Sequence, residues 1–273
     1  MTPQAPEVRD RAAREAFRAA ARRMSLDPDD TWVGGYVDYE WRHGRHALEA
    51  AGATVSGLRV LEFGCNYGAT SIVLAALGAS VTGVDVNPDY VGLARLNAAC
   101  YRQPQGPEFM HVPDTTRLPF DDAQFDLITC NSVLEYVPHA LLGPVQREID
   151  RVLKPGGTIL VLGTSNRLWP QEVHSRRWFV TYLPRFVDAL ARRDIQRGVF
   201  PWQIRFGFGP SYADADLQDA GAGYLEARRK MGMSGARRAL LGAAMRVLAP
   251  LRLSVGLLTP SISVRLLKHR RTA

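Results

Sequence analysis

"VLEFGCNYGATSIVLAALGASVTGVDVN", residues 60–87, passes through two periodicities and two glycine turns in 28 positions. The run "LRVLEFG" (58–64), bounded by Gly57 and Gly64, is short and apolar enough for a strand buried on both faces. "ATSIVLAALG" (69–78) follows as a helix closed by Gly78, and "SVTGVDV" (80–86) as a second strand carrying Asp85 near its end. Strand, Gly-punctuated turn, helix and strand with a terminal acid make the outline of a nucleotide-binding βαβ unit.

The same alternation continues downstream. "PDYVGLARLNAAC" (88–100) is a helix with Asn87 as N-cap and Pro88 in its first turn. "PEFMHV" (107–112) and "FDLITCNS" (125–132) are strands three and four. "LLGPVQREIDRVL" (141–153) is a helix that must stop at Lys154-Pro155-Gly156-Gly157, before "TILVLGT" (158–164) as strand five. Strands separated by helix-length segments predict an α/β fold with a doubly wound, mostly parallel sheet. Residues 165–210 break the rhythm with Trp, Phe, Arg and Pro and read as an insertion over the carboxyl edge of the sheet. "SYADADLQDAG" (211–221) reads as a capped helix leading to a sixth strand near "YLEARR" (224–229).

Five segments result: a helical lead-in and lid (1–50), an α/β core (51–164), a cap (165–210), the end of the core (211–231) and a basic helical tail (232–273). At 273 residues with 46% hydrophobic and 22% charged side chains, the chain can bury a full core. Cys65, Cys100 and Cys130 are scattered without a CxxC pair or a His cluster. No metal site or disulfide framework is expected, and a reducing, cytoplasmic setting fits best. The first 24 residues mix arginines with acids and lack the apolar core of a signal peptide, and no apolar run approaches a membrane span. The net charge of +7 is uneven: residues 224–273 carry 11 Lys/Arg against Glu226, net +10, so the preceding 223 are net −3. A slightly acidic body disfavours a phosphate-tracking groove, so no nucleic-acid partner is expected.

The turn after the first strand is Glu62-Phe63-Gly64-Cys65-Asn66-Tyr67-Gly68, a GxxxG preceded by an acid and not the GxGxxG that cradles pyrophosphate. A carboxylate there repels pyrophosphate and attracts an ammonium. Asp85, twenty-one residues after Gly64, is placed to accept ribose hydroxyls, and Asp114 could receive an adenine amine. An ammonium, a free ribose and an adenine without phosphate describe S-adenosylmethionine. The segments "VLEFGCNYG", "VTGVDVN", "TRLPFDDAQFDLITCNSVLEYV" and "LKPGG" stand in the order and spacing of class I S-adenosylmethionine-dependent methyltransferases, and the chain resembles the small-molecule and quinone-biosynthesis branch over roughly 58–164. The resemblance implies the Rossmann-like, seven-stranded sheet of that class. It implies that Gly64 and the Cys65–Asn66 backbone lie against the methionine moiety, with Glu62 and Gly68 in the same turn. It further implies that Asp85 holds the ribose, Val86 borders the adenine, Asp114 and Thr115 meet its edge, and the Asn131 carbonyl receives the ammonium. The family usually has Gly where Asn66 stands; Asn tolerates positive φ better than most residues.

Methyl transfer is an in-line displacement, so holding donor and acceptor collinear can supply much of the acceleration. A base is needed only if the acceptor loses a proton near the transition state. Candidate bases are His139, after strand four, and His174 in the insertion, with Glu172 two residues before it as an orienting partner. "WVGGYVDYEWRHGRH" (32–46) offers Trp32, Tyr36, Trp41, Arg42 and His43 as lid or acceptor contacts, or else an aromatic-rich helix packed on the sheet. Trp169, Arg176 and Trp178 of the insertion suit an acceptor with an apolar body and an anionic group. The expected activity is methylation of a small-molecule hydroxyl. Methylation of a lipid- or carrier-linked acceptor, such as a quinone precursor or glycolipid, is the alternative. A nicotinamide-dependent oxidoreductase and a non-catalytic donor-binding protein stand further off. In "SGARRALLGAAMRVLAPLRLS", Leu240, Ala244, Val247, Leu248 and Leu251 recur at helical spacing beside Arg237, Arg238, Arg246 and Arg252. That pattern fits either peripheral membrane contact or a helix packed on the domain with an arginine edge in water. Oligomeric state is not legible.

Overall fold

The computed structural model describes residues 4–50, 55–184, 186–191 and 195–270. Its sheet has seven strands: β1 (Arg59–Phe63), β2 (Ser80–Asp85), β3 (Glu108–His111), β4 (Phe125–Asn131), β5 (Leu153–Ser165), β6 (Tyr212–Asp214) and β7 (Ser261–Lys268). Their spatial order is β3-β2-β1-β4-β5-β7-β6. β1 to β5 pair parallel, and β7 runs antiparallel to both β5 and β6. The order reverses at β1, where the chain leaves for β2 on one side and β4 lies on the other; that switch point is where open α/β sheets take their ligands.

Twelve helices are described: α1 (Arg11–Arg23), α2 (Tyr36–Tyr39), α3 (Arg45–Ala50), α4 (Ala69–Ala76), α5 (Pro88–Ala99), α6 (His139–Val152), α7 (Phe186–Ala191), α8 (Pro201–Gly207), α9 (Ala215–Gln218), α10 (Ala222–Lys230), α11 (Gly235–Leu248) and α12 (Val255–Leu258). They cover both faces of the sheet. Val60, Val81, Leu127 and Leu160 pack on one face with Phe17 of α1 and Ile72 and Leu74 of α4. Leu61, Val84, Ile128 and Ile159, each an odd number of residues away along the same strand, pack on the other with Val145 and Ile149 of α6 and Ile204 of α8. The pleat sends successive side chains to opposite faces, so a strand clothed on both sides reads as a continuous apolar run. The capping expected of α5 is present: Asn87 accepts the Asp89 N–H at 2.9 Å and Pro88 opens the first turn.

Three expectations need correction. β5 begins at Leu153 and runs through Lys154-Pro155-Gly156-Gly157, which forms an irregularity in the pairing with β4 instead of a loop. Such a bulge tolerates Pro and left-handed Gly, and Gly156 has φ +84°. Residues 211–221 form the short strand β6 followed by α9, not one helix, and "YLEARR" lies in α10, with Tyr224 and Ala227 buried three positions apart. The supposed appended tail, 232–273, supplies β7, an interior strand of the sheet. The basic residues of β7 are accommodated because acids earlier in the chain meet them. Arg265 pairs with Asp216 at 2.8 Å and Asp219 at 2.5 Å, and Lys268 with Asp150 at 2.8 Å.

Candidate functional site

A cavity of about 1020 Å³ lies over the carboxyl ends of β1, β2 and β4 and reaches across to β7 and α10. It stands at the upper end of the roughly 300–1,000 Å³ usual for small-molecule sites, so it has room for two ligands side by side. One end is built by the βαβ unit. The turn after β1 passes through left-handed conformations at Gly64 (φ +77°), Asn66 (φ +47°) and Gly68 (φ +78°). Asp85 ties this turn to the end of β2, accepting the Asn66 N–H and the Asn87 N–H, each at 2.9 Å. Glu62 is buried and accepts from the Ser71 hydroxyl and backbone N–H and from the Thr70 side chain, all in the first turn of α4.

A second carboxylate comes from the N-terminal segment. Between α2 and α3, Glu40–Gly44 forms a π-helical turn, a feature often found at functional sites. It turns Glu40 inward, where Oε1 accepts from Asn131 Nδ2 at 3.3 Å and the carboxylate hydrogen-bonds the Tyr36 side chain. The same Asn131 nitrogen donates to Thr70 Oγ1 at 3.2 Å, joining Glu40 to the Glu62 network. A Cβ on Gly44 would displace the Glu40 carboxylate from this position. Burial pushes the Glu40 carboxyl up to about 7 and that of Glu62 up to about 8.

Of the residues expected to bind the donor, Glu62, Gly64, Cys65, Asn66, Asp85, Val86, Thr115 and Asn131 line the cavity. Gly68 and Asp114 do not. A Cβ on Gly68 would meet Phe109 and Ala94, which makes that glycine a packing requirement. The exposed Asp114 carboxylate is engaged by its own turn, accepting the Thr116 N–H at 2.9 Å and hydroxyl at 2.6 Å. Burial raises the Cys65 thiol far above its ordinary value, which rules it out as a nucleophile. The groups present suit the cofactor the sequence implied. Asn66 Oδ1 is a buried acceptor without a partner, and it stands in the cavity wall with Glu40 and Glu62, where an ammonium or hydroxyl would satisfy it.

Among the candidate bases, His174 lines the cavity. Its orienting partner is Glu135, whose Oε1 lies 2.8 Å from His174 Nε2, and not Glu172. Glu172 lies off the cavity and accepts the N–H groups of His174 (3.1 Å) and Ser175 (2.5 Å), shaping the turn that presents the imidazole. His139 sits in the exposed first turn of α6, outside the cavity. Tyr36, His43 and Arg176 line the cavity, whereas Trp41, Arg42, Trp169 and Trp178 do not. Trp41 lies under Arg45, Arg42 pairs with Asp38, Trp169 donates to the Leu258 carbonyl at 2.7 Å, and Trp178 is exposed. Sequence reasoning missed Glu40, which stood inside the quoted "WVGGYVDYEWRHGRH" but is selected by a π-helical register that composition does not announce. It also missed Arg228, hidden in a segment read as a strand.

Residues 61–161 match the family model described as a methyltransferase domain. The ubiquinone biosynthesis O-methyltransferase of Xanthomonas campestris pv. campestris is 38% identical over 118 residues, 43% of this chain and 47% of its own. The demethylmenaquinone methyltransferase of Clavibacter sepedonicus is 34% identical over 168 residues, 62% of this chain and 64% of its own. A solved SAM-dependent methyltransferase structure from Methanosarcina mazei is similar at 31% identity and a TM-score of 0.37, covering 40% of this chain and 53% of that one. The chain spans about half the length of the first curated relatives it matches.

Proposed function

We infer that this chain, whose residues 61–161 are a class I, Rossmann-like methyltransferase domain, transfers a methyl group from S-adenosylmethionine to a small-molecule acceptor, at a hydroxyl oxygen. The observation that carries the reading is the cavity at the switch point of the sheet, with an acid-rich wall (Glu40, Glu62, Asp85) around the Gly64 turn. When bound, S-adenosylmethionine supplies an electrophilic methyl group on a sulfonium. Asp85, already fixed by two backbone N–H groups, keeps lone pairs for the ribose hydroxyls. Glu40, Glu62 and Asn66 Oδ1 surround the place where the ammonium is received. His174, oriented by Glu135, takes the proton that an acceptor hydroxyl gives up. The relatives named ubiquinone biosynthesis O-methyltransferase support an oxygen acceptor.

The test is calorimetric titration of the chain with S-adenosylmethionine and S-adenosylhomocysteine. Micromolar binding that Asp85→Ala weakens at least tenfold (about 1.4 kcal/mol) is the expected result. A wild-type chain that binds neither compound overturns the reading and returns attention to nicotinamide cofactors, titrated in the same cell.

A further inference from the structure

The cavity is electrically divided. Its acids at the βαβ end are Glu40, Glu62 and Asp85, while the far wall, built by α10 and β7, presents Arg228. Arg228 is half-buried, and among the described residues no carboxylate pairs with it. Its guanidinium lies 4.9 Å from the centre of the Tyr224 ring, with one nitrogen 3.5 Å from Ser263 Oγ and another 3.9 Å from Met231 Sδ. Tyr39, across the cavity, lies within reach of its charge. The other cation on that wall, Arg265, is already neutralised by Asp216 and Asp219. A hydroxyl and a thioether satisfy little of what a guanidinium offers. Its planar fork of five N–H donors matches a carboxylate or phosphate, and stacking on Tyr224 holds it in place at small entropic cost.

We propose that Arg228 and Ser263 form an oxyanion subsite that selects acceptors bearing a carboxylate or phosphate on a flat apolar body, which rests among Tyr39, Tyr224 and Met231. The inference rests on the methyltransferase reading and deepens it. A cationic donor at the acidic end and an anionic acceptor at the arginine end match the division of charge in the cavity, and complementarity of this kind confers specificity. It also moves the anion contact away from Arg176 of the insertion, which is exposed at the cavity rim.

The test is a set of fluorescence titrations, Trp32 in the cavity wall being the reporter, with 4-hydroxybenzoate, phenyl phosphate and the neutral 4-hydroxybenzyl alcohol. Each is run with and without saturating S-adenosylhomocysteine, on wild type, Arg228→Gln, Arg228→Lys and Ser263→Ala. The expected result is that one or both anions bind wild type at least tenfold tighter than the alcohol. Arg228→Gln should erase that preference, Arg228→Lys should keep part of it, and Ser263→Ala should weaken it severalfold, all at unchanged affinity for S-adenosylhomocysteine. The ratio between the two anions separates carboxylate from phosphate acceptors. Equal binding of anion and alcohol, no binding of either anion at millimolar concentration, or a preference that survives Arg228→Gln overturns the subsite. Failure to bind S-adenosylhomocysteine instead sinks the methyltransferase reading, and the titrations without it still decide on Arg228.

Discussion

Glu40 and Glu62 are costly residues, because a carboxylate removed from water favours its neutral form unless a positive charge meets it. Both carboxyls are raised from an ordinary 4.5, to about 7 and about 8, by burial foremost. A carboxyl raised in the folded state contributes stability that is whole below its unfolded value and is lost as pH rises through the folded value. The ligand-free protein should therefore lose melting temperature as pH rises from about 4.5 to about 8, and Glu40→Gln or Glu62→Gln should flatten that decline. An ammonium placed between the two would hold both ionised, so binding should release protons and tighten with pH, by up to about tenfold per pH unit for each proton coupled. Calorimetry with S-adenosylhomocysteine in buffers of different ionisation enthalpy reads the protons directly. Affinity that is constant from pH 6 to 8.5 would separate the two acids from donor binding.

Among the elements, the insertion after β5 and the loop after β4 converge on one contact, the His174–Glu135 pair. The Glu135 hydrogen bond, foremost, raises His174 above its ordinary 6.5. The stabilisation is complete below pH 6.5 and disappears as pH climbs through the folded value, where the imidazole becomes neutral and able to accept a proton. Ring-proton NMR should give His174 an inflection above 6.5, moved downward by Glu135→Gln. On an acceptor that turns over, His174→Gln should lower kcat by about a hundredfold with the donor KM little changed. A loss of only severalfold would leave His174 as a packing residue. This pair was half legible: "WPQEVHSRRW" offered the histidine, but its partner lies 39 positions away and only the fold brings it near. The elements from β1 to α6 were legible because their periodicity, caps and glycines all agree. The π-helical turn at Glu40–Gly44, the bulged start of β5 and the strand β7 were not. Each departs from a regular period, and β7 buries an arginine that burial statistics assign to the surface.

For the whole molecule the remaining question is where the basic charge goes, since +10 falls in the last fifty residues. Arg265 and Lys268 are neutralised within the sheet, Lys230 pairs with Glu49, and Arg228 faces the cavity. Of the rest, Arg229 pairs with Glu226, and Arg237, Arg246 and Arg252 stand exposed on α11 and the turn after it. α11 docks through Leu241, Ala244, Met245 and Leu248 onto Tyr224 and Val255. Leu240, Val247 and Leu251 are left outside, at 70%, 72% and 66% exposure. Apolar side chains interleaved with arginines suit the surface of an anionic bilayer, where each basic residue contributes about 1 kcal/mol and each inserted leucine adds its burial. We propose that this face makes peripheral contact with membranes, which would bring the cavity to a lipid-borne acceptor. Removing residues 232–273 cannot test the idea, because the deletion takes β7 out of the sheet. Point substitutions can: Leu240→Asp with Val247→Asp changes only the exposed ridge. The wild-type chain should float with phosphatidylglycerol vesicles at low salt and not with phosphatidylcholine, and the double substitution should abolish flotation without altering the melting temperature. Flotation that is equal in both chains, or absent in wild type, would leave α11 as a helix packed on the domain with its arginines in water.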